Sequence, residues 1–506
     1  MGNPLYDAIV AGRAAGDGRL LRTPDGTQVS DAQFLALATA FAGTLQGAGV
    51  APGDRVAVQV GKSWQALALY VGVLRAGGVF LPLNTGYTLT ELDYFIGDAQ
   101  PRVVVCDPDA REGIAALLDG RAFSCDCFTL DAQGNGTLAT RAAERSNAEQ
   151  PAVVSREPSD LAAILYTSGT TGRSKGAMLT QHNLLSNALT LVEAWAFSAD
   201  DVLLHALPIF HTHGLFVAGH TGLMSGARLL FQSAFDPDTI IASLPEATVL
   251  MGVPTFYTRL LADERFTREA AAPLRLFVSG SAPLLAATHT EFEARTGQRI
   301  LERYGMTETN MNCSNPYEGE RRAGTVGPPL PGVEVRLRDA AGEPVDEPGA
   351  VGTLQVRGAN VFAGYWKMPQ KTAEELLEDG FFITGDLATI DADGYVTIVG
   401  RDKDLVISGG YNIYPKEVET VIDALDGVVE SAIVGLPHAD LGEAIVGFAV
   451  VRPGTEADAL LGALGERLAR YKCPRTLHLI DELPRNTMGK VMKNRLREEA
   501  LARRDG

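Results

Sequence analysis

The sequence predicts an α/β protein: a large N-terminal α/β part, a small β-rich unit beginning near residue 331, and a small α+β unit at the C-terminal end. Three observations predict it. Short apolar runs alternate with segments of helical apolar spacing as far as residue 330, the rhythm of a layered fold with largely parallel strands. After Pro328-Pro329-Leu330-Pro331 the strands become short and rich in turn residues. A charged, turn-prone bridge, Gly400-Arg401-Asp402-Lys403-Asp404, then precedes a last stretch of mixed helices and strands.

In order, Phe34 to Leu45 has helical spacing and Gly49 stops it. Val56 to Val60 reads as a strand, Trp64 to Leu74 as a helix, and Val79 to Leu83 and Arg102 to Cys106 as buried strands. Residues 130–160 are polar and patternless, which predicts a surface connection. Leu161 to Leu165 is the next strand. It leads into Tyr166-Thr167-Ser168-Gly169-Thr170-Thr171-Gly172-Arg173-Ser174-Lys175-Gly176. Glycines let several N–H groups converge on one ligand, hydroxyls add donors, and Arg173 and Lys175 add charge, so the loop suits a polyphosphate. It is not a Walker A loop, because no Gly-Lys-Ser/Thr follows four residues after a glycine. Alone, such a cluster is equally a turn-rich surface loop.

Further strands follow at Val202 to Leu207 and Ala247 to Val253, with a helix through Arg259. His211 and His213 lack a third ligand nearby, so they read as pocket lining rather than a metal site. The strand Leu274 to Val278 meets Ser279-Gly280-Ser281-Ala282-Pro283, and Arg299 to Glu302 meets Arg303-Tyr304-Gly305-Met306-Thr307-Glu308-Thr309. Open α/β sheets bind ligands at such junctions. Tyr304 offers a face for stacking a base, and Glu308 offers the single carboxylate with which magnesium is often held beside phosphates. In the β-rich unit, Phe382-Ile383-Thr384-Gly385-Asp386 places a carboxylate after a glycine turn. It can accept from two adjacent ribose hydroxyls or simply cap its own turn. In the last unit Glu417 to Leu425 and Ala457 to Leu468 read as helices, and Ser431 to Gly435 and Ala444 to Val451 as strands. Lys490, in Pro484-Arg485-Asn486-Thr487-Met488-Gly489-Lys490, can reach another domain's cleft or be a solvated surface lysine.

The totals bound the partners. The chain has 506 residues, 46% hydrophobic and 21% charged, an ordinary globular mixture with material for about three domain-sized units. A net charge of −18 argues against nucleic acid as a partner. Five scattered cysteines argue for a reducing compartment, and Cys125-Asp126-Cys127 has no partners at zinc spacing. There is no secretory or organellar presequence pattern and no membrane-length apolar run, so a cytoplasmic location without stable membrane association is expected.

Taken together, Tyr166 to Gly176, Tyr304 to Glu308, Thr384-Gly385-Asp386, Gly400-Arg401 and Pro484 to Lys490 resemble, in order and spacing, the adenylate-forming superfamily of acyl-CoA synthetases, peptide-synthetase adenylation domains and luciferases. The match covers nearly the whole chain. It implies an N-terminal catalytic domain over 1–402. That domain would hold two stacked α/β subdomains (about 1–160 and 161–330) and a β-barrel (about 331–400), followed by a mobile C-terminal domain over 403–506. The implied reaction joins a carboxylate to ATP, making an acyl-adenylate and pyrophosphate; CoA thiol then displaces AMP.

The resemblance also implies roles. Thr167, Ser168, Gly169, Thr170, Thr171, Gly172 and Lys175 would hold the β- and γ-phosphates, and Thr307 would contact phosphate. Tyr304 would stack near adenine beside Gly280, Ser281 and Ala282. Glu308 would hold Mg²⁺, and Asp386 and Arg401 would bind ribose. Lys490 would bridge the carboxylate and the α-phosphate, and its acetylation would remove that charge. Lys403 falls at the hinge position, where many members carry Asp, and Gly409-Gly410-Tyr411 would line the pantetheine tunnel after rotation. The residue before the Tyr-Gly turn is usually small or polar in relatives that take fatty or aromatic acids. Here it is Arg303, which would be costly beside an alkyl chain and suits a second carboxylate. His211 falls at a pocket wall and Arg259 on a helix bordering the pocket. The stretch Glu302 to Met311 looks most like malonyl-CoA synthetases. The expected substrate is therefore malonate, with methylmalonate second. A monocarboxylate ligase is the alternative, and the presence of both Glu308 and Lys490 argues against a non-catalytic nucleotide binder.

Overall fold

The computed structural model describes residues 2–145, 151–167, 174–408, 411–438, 441–486 and 489–505. It is a mixed α/β structure with a large N-terminal domain and a small C-terminal one. Two sheets build most of the N-terminal domain. In the first, six strands run in the order Asp126–Thr129, Val103–Cys106, Arg55–Gln59, Val79–Pro82, Leu161–Thr167, Lys175–Thr180. The first five are parallel and the last turns back. Val103–Cys106 is buried along its whole length, which is why it reads as an unbroken apolar run. The helix Trp64–Arg75 is capped by the Ser63 side chain and buries every residue from Ala66 to Leu74. Such a helix, apolar all round, belongs between layers. Gly72 lets it touch the helix Asp31–Gly47, since a Cβ there would lie 2.8 Å from the Ala38 carbonyl oxygen.

The second sheet has eight strands, in the order Asn310–Ser314, Leu301–Met306, Leu276–Ser279, Val249–Gly252, Val202–His205, Arg228–Phe231, Arg19–Arg22, Gln28–Ser30. This corrects the subdomain boundary expected at residue 160. The first strands of the chain pair into the second sheet through Leu21↔Leu229. Leu161–Thr167 and Lys175–Thr180 instead complete the first sheet, where Ala163 faces Phe80. Pairing partners decide sheet membership, and sequence order does not carry them. The connection expected over 130–160 contains a helix, Thr137–Glu144, held by buried Leu138 and Ala142.

Beyond residue 331 four antiparallel strands, Val333–Arg338, Gly352–Gly358, Phe382–Ile390 and Val396–Arg401, form a meander. Its two outer strands do not pair with each other among the described residues, so the unit is an open sheet where a closed barrel is expected. The C-terminal domain wraps the helices Pro415–Asp423, Ala457–Arg467 and Lys493–Asp505 around a sheet led by the long pair Val428–His438 and Gly442–Val451. Its two apolar clusters, one around Val406, Ile433 and Leu464 and one around Val434, Phe448 and Leu496, contain only residues from 406 onward. It therefore has a core of its own. No helix among the described residues is long and apolar enough to cross a membrane.

Candidate active site

The site forms where strands of the second sheet end. Leu301–Met306 alternates its side chains, which sends Arg303 to one face and Glu302 and Tyr304 to the other. Arg303 is 3% exposed, and its Nε and Nη2 have no hydrogen-bond partner. Its guanidinium lies against Gly280, where a Cβ would come within 2.4 Å of Cζ, so any side chain there would displace the guanidinium. Burial pulls the Arg303 pKa down to about 9, with Tyr257 and Glu302 opposing. An arginine ordinarily stays charged well above that range; here it is a buried cation with no counter-ion among the described residues.

Two histidines face it. Burial, reinforced by the charge of Arg303, pushes His211 down to about 4 and His213 well below its usual range, so both are neutral near pH 7. His213 Nδ1 lies 3.1 Å from Ser281 Oγ, while its Nε2 is unpartnered. Ser279 Oγ, fully buried one turn away, is unpartnered as well. Ser281 has φ +74°, a strained conformation for a residue with a side chain, of the kind concentrated at functional sites. This set of buried, unspent donors around a cation has the chemistry to hold an anion. Arg259 does not join it, which corrects that expectation: it is exposed, and its helix Pro254–Leu261 buries Tyr257, Leu260 and Leu261 instead.

The opposite face of the strand leads to the β-rich unit. Tyr304 donates its hydroxyl to Asp386 Oδ2, and Arg401 Nε lies 2.6 Å from Asp386 Oδ1. Asp386 and Arg401 stand directly opposite each other across two antiparallel strands. The Asp386 N–H donates to Thr384 Oγ1 at 3.0 Å, and Gly385 takes φ +69° to turn the carboxylate inward. Gly305 is obligatory for another reason, because a Cβ there would sit 2.0 Å from the Asn310 carbonyl oxygen. Gly280, Ser281 and Ala282 form the turn after Leu276–Ser279.

Glu308 is 6% exposed and lies 3.1 Å from the Tyr365 hydroxyl; burial pushes its carboxyl pKa up. Thr307 beside it is half-buried. A buried carboxylate with one neutral hydrogen bond is the hard oxygen donor a magnesium ion accepts when phosphates and water supply its other ligands, so the residues fit that ion. Lys175 Nζ sits 3.3 Å from both oxygens of Glu375 and 4.1 Å above the Tyr365 ring. The two stems of the loop are anchored to the helix Leu89–Ala99: Tyr94 donates to the Ser174 carbonyl at 2.8 Å, and Tyr166 to Asp98 at 2.5 Å. Thr167 closes the strand pair opposite Lys175. Ser168, Gly169, Thr170, Thr171 and Gly172, like Gly409 and Gly410 of the expected tunnel, lie outside the described residues.

The C-terminal domain reaches this cleft through the turn carrying Lys490. Asn486 accepts the Lys490 N–H at 3.0 Å, and Gly489 comes close to Thr255 of the N-terminal domain, within 3.6 Å of an added Cβ. Among the described residues the Lys490 ammonium makes no ion pair. The surrounding domains and the charge of Arg401 pull its pKa down, while Asp386 and Asp404 oppose. Lys403 lies in the single turn Asp402–Asp404 joining the domains. Burial and Arg401 lower it to about 8. Tyr411 is 57% exposed and stacks on Tyr471 at 4.6 Å.

Sequence reasoning missed Tyr365, Glu375 and Glu302. Glu302 accepts the Leu284 N–H at 3.1 Å, leaves Oε2 unpartnered, and is raised by burial to about 8. Glu302 stands next to Arg303 in the chain, but only its burial marks it; Tyr365 and Glu375 lie outside every motif and are brought in by the packing of distant segments.

Residues 10–366 match the family described as AMP-binding enzyme, and residues 417–490 match the AMP-binding enzyme C-terminal domain. The chain is 36% identical to a feruloyl-CoA synthase of an Amycolatopsis species, over 93% of this chain and 94% of that one. It is 34% identical to a malonate–CoA ligase of Arabidopsis thaliana, over 90% of this chain and 79% of that one. The crystal structure of ATP-bound MatB from Rhodopseudomonas palustris superposes with a TM-score of 0.95, at 52% identity and 99% coverage of both chains.

Proposed function

Since the chain belongs to the AMP-binding enzyme family and is an AMP-forming CoA ligase, we propose that the acid it joins to CoA is malonate, with methylmalonate as a second substrate. The observation that carries this is Arg303, buried with two unspent donor nitrogens and no counter-ion among the described residues. A carboxylate at the far end of a short diacid would supply both missing acceptors and the missing charge. Neutral His211 and His213 and the hydroxyl of Ser279 add donors without adding repulsion. The malonate–CoA ligase among the relatives supports the same reading.

In this reading the near carboxylate of the diacid points toward the nucleotide. A carboxylate is a weak nucleophile and is repelled by a triphosphate, so positioning and charge neutralisation supply most of the rate. The hydroxyl-glycine loop, Lys175 and Thr307 hold the phosphates. Tyr304 and the turn Gly280 to Ala282 flank adenine. Asp386 and Arg401 exchange part of their mutual contact for the ribose hydroxyls. Glu308 holds Mg²⁺, which when bound neutralises charge on the phosphates. Lys490, unpaired in the cleft, spans the reacting carboxylate and the α-phosphate as charge shifts between them; its acetylation would remove that cation. Rotation about Lys403 then withdraws Lys490 and brings Gly409, Gly410 and Tyr411 to the pantetheine arm.

The feruloyl-CoA synthase relative favours a second reading, an aryl or short fatty acid. Such an acid would leave Arg303 buried without a partner, at a cost of about 1–3 kcal/mol or more. Pyrophosphate release across a panel of mono- and dicarboxylic acids, with and without CoA, separates the two. The diacid reading requires malonate to lead the panel, and a leading ferulate or butyrate refutes it.

A further inference from the structure

Glu375 ends the helix Pro369–Glu375 and stands outside every motif by which the chain was read. Its carboxylate nevertheless meets three groups. Lys175 Nζ is 3.3 Å from each oxygen, Lys371 Nζ is 3.0 Å from Oε1, and the Tyr365 hydroxyl is 2.6 Å from Oε2. The Lys175 and Glu375 side chains are only 20% and 22% exposed, whereas Lys371 is 38% exposed. The pairing thus joins the cation at the foot of the phosphate loop to a half-buried acid, with a second ammonium and a phenol in reserve.

We propose that Glu375 is a placeholder for phosphate: it pairs with Lys175 before ATP binds, yields it to the triphosphate, and recaptures it as pyrophosphate leaves. The proposal rests on the reading that Lys175 faces the β- and γ-phosphates. Three features fit exchange better than a fixed structural pair. The ammonium spans both oxygens at 3.3 Å and makes no short, directed bond to either, so little geometry is lost on departure. Lys371 and Tyr365 stay behind, so Glu375 is not stranded as an uncompensated acid, which would be the main penalty of breaking such a pair. Lys175 also rests on the Tyr365 ring at 4.1 Å, a contact that holds the ammonium in place without competing for its hydrogen bonds. The consequence is functional. Competition from Glu375 subtracts from the affinity of any polyphosphate at Lys175, including the product, and so favours pyrophosphate release. Glu375 is a positioning residue, acting through Lys175.

The test is equilibrium binding of ATP and of inorganic pyrophosphate to the full chain by titration calorimetry, with no acid or CoA present. Glu375→Gln keeps shape and removes the competing charge; it should tighten pyrophosphate binding about three- to tenfold. Lys371→Met removes the reserve cation, so Glu375 holds Lys175 harder, and pyrophosphate binding should weaken by a similar factor. Glu374→Gln removes the same charge one residue away without touching Lys175. Its 2.8 Å partner is Lys371; freeing that ammonium toward Glu375 loosens the Lys175 pair only slightly, so binding should tighten by less than twofold. Opposite shifts in the first two variants with a flat third support the proposal, and a merely structural role would not produce them. Equal tightening by Glu374→Gln would reduce the effect to general charge and overturn it, as would shifts of the same sign, or none, in the first two. Lys175→Met separates the levels. If it weakens ATP binding while the other variants fail, only the placeholder falls; if it binds ATP like the unmodified protein, the phosphate reading falls with it.

Discussion

Replacing Arg303 with methionine tests the acyl pocket at its most specific point. Methionine keeps the apolar stem of the side chain as far as about the Nε position and removes both the charge and the unspent Nε and Nη2 donors. Each hydrogen bond to a charged group contributes about 1.5–3 kcal/mol, and truncating one member of a buried charged pair costs about 2–5 kcal/mol. Two donors and one buried charge therefore place the loss for malonate at about 3–5 kcal/mol, or roughly a hundred- to several-thousand-fold in kcat/KM. Butyrate has no second carboxylate, so its kcat/KM should hold or rise. Stability should move the other way. Arg303 is 3% exposed without a counter-ion, and exchanging an unpaired buried charge for an apolar side chain is neutral or stabilising. The melting temperature of the ligand-free variant should be unchanged or higher, and ATP should still raise it, while the further stabilisation that malonate adds disappears. The assay is pyrophosphate release with each acid, beside thermal melts. An equal fall for malonate and butyrate, or a lower melting temperature without ligand, would mean that Arg303 supports the fold or the nucleotide site, and the reasoning would be refuted.

Three further predictions follow from other parts of the molecule. Lys490→Ala removes the unpaired cation of the cleft; it should abolish pyrophosphate formation while preformed malonyl-AMP still reacts with CoA, and equal loss in both half-reactions would contradict its role. Lys403→Pro fixes a dihedral in the single turn between the domains. It should spare adenylation and slow CoA transfer, and unchanged overall turnover would place the hinge elsewhere. His220 is fully buried against Tyr70 and pushed down to about 3 by burial, so the unfolded chain takes up its proton first and stability falls as pH drops below about 6.5 toward 3. At pH 5.5 that loss is about 1.4 kcal/mol; urea unfolding of His220→Phe should show a correspondingly smaller drop between pH 7.5 and 5.5, and an identical drop would assign the acid sensitivity to other groups.

Much of the fold was legible because its strands are buried on both faces. Val103–Cys106 and Val249–Gly252 announce themselves as apolar runs, and the helix Trp64–Arg75 as a longer one. What could not be read was pairing. Nothing in Arg19–Arg22 tells that it reaches Arg228–Phe231, and nothing in Leu161–Thr167 assigns it to the earlier sheet. The site divides in the same way. Gly305 is legible because a backbone contact forbids any side chain there, and Gly280 because a side chain would displace the Arg303 guanidinium; such demands leave glycines at fixed places in the sequence. Glu375 and Tyr365 meet Lys175 across about two hundred residues of chain through ordinary side chains on ordinary elements, and leave no local mark. Arg259 shows the reverse error: a charge on the right helix, turned by that helix's apolar spacing toward solvent.

The central claim, that the pocket is built for a diacid, is tested most directly by competition. The unmodified protein is given equimolar malonate, butyrate and ferulate with ATP, magnesium and limiting CoA, and the thioesters formed are measured by mass spectrometry. The buried, unpartnered Arg303 predicts malonyl-CoA in excess of the other two by about a hundredfold or more. A product pool dominated by butyryl-CoA or feruloyl-CoA would contradict it.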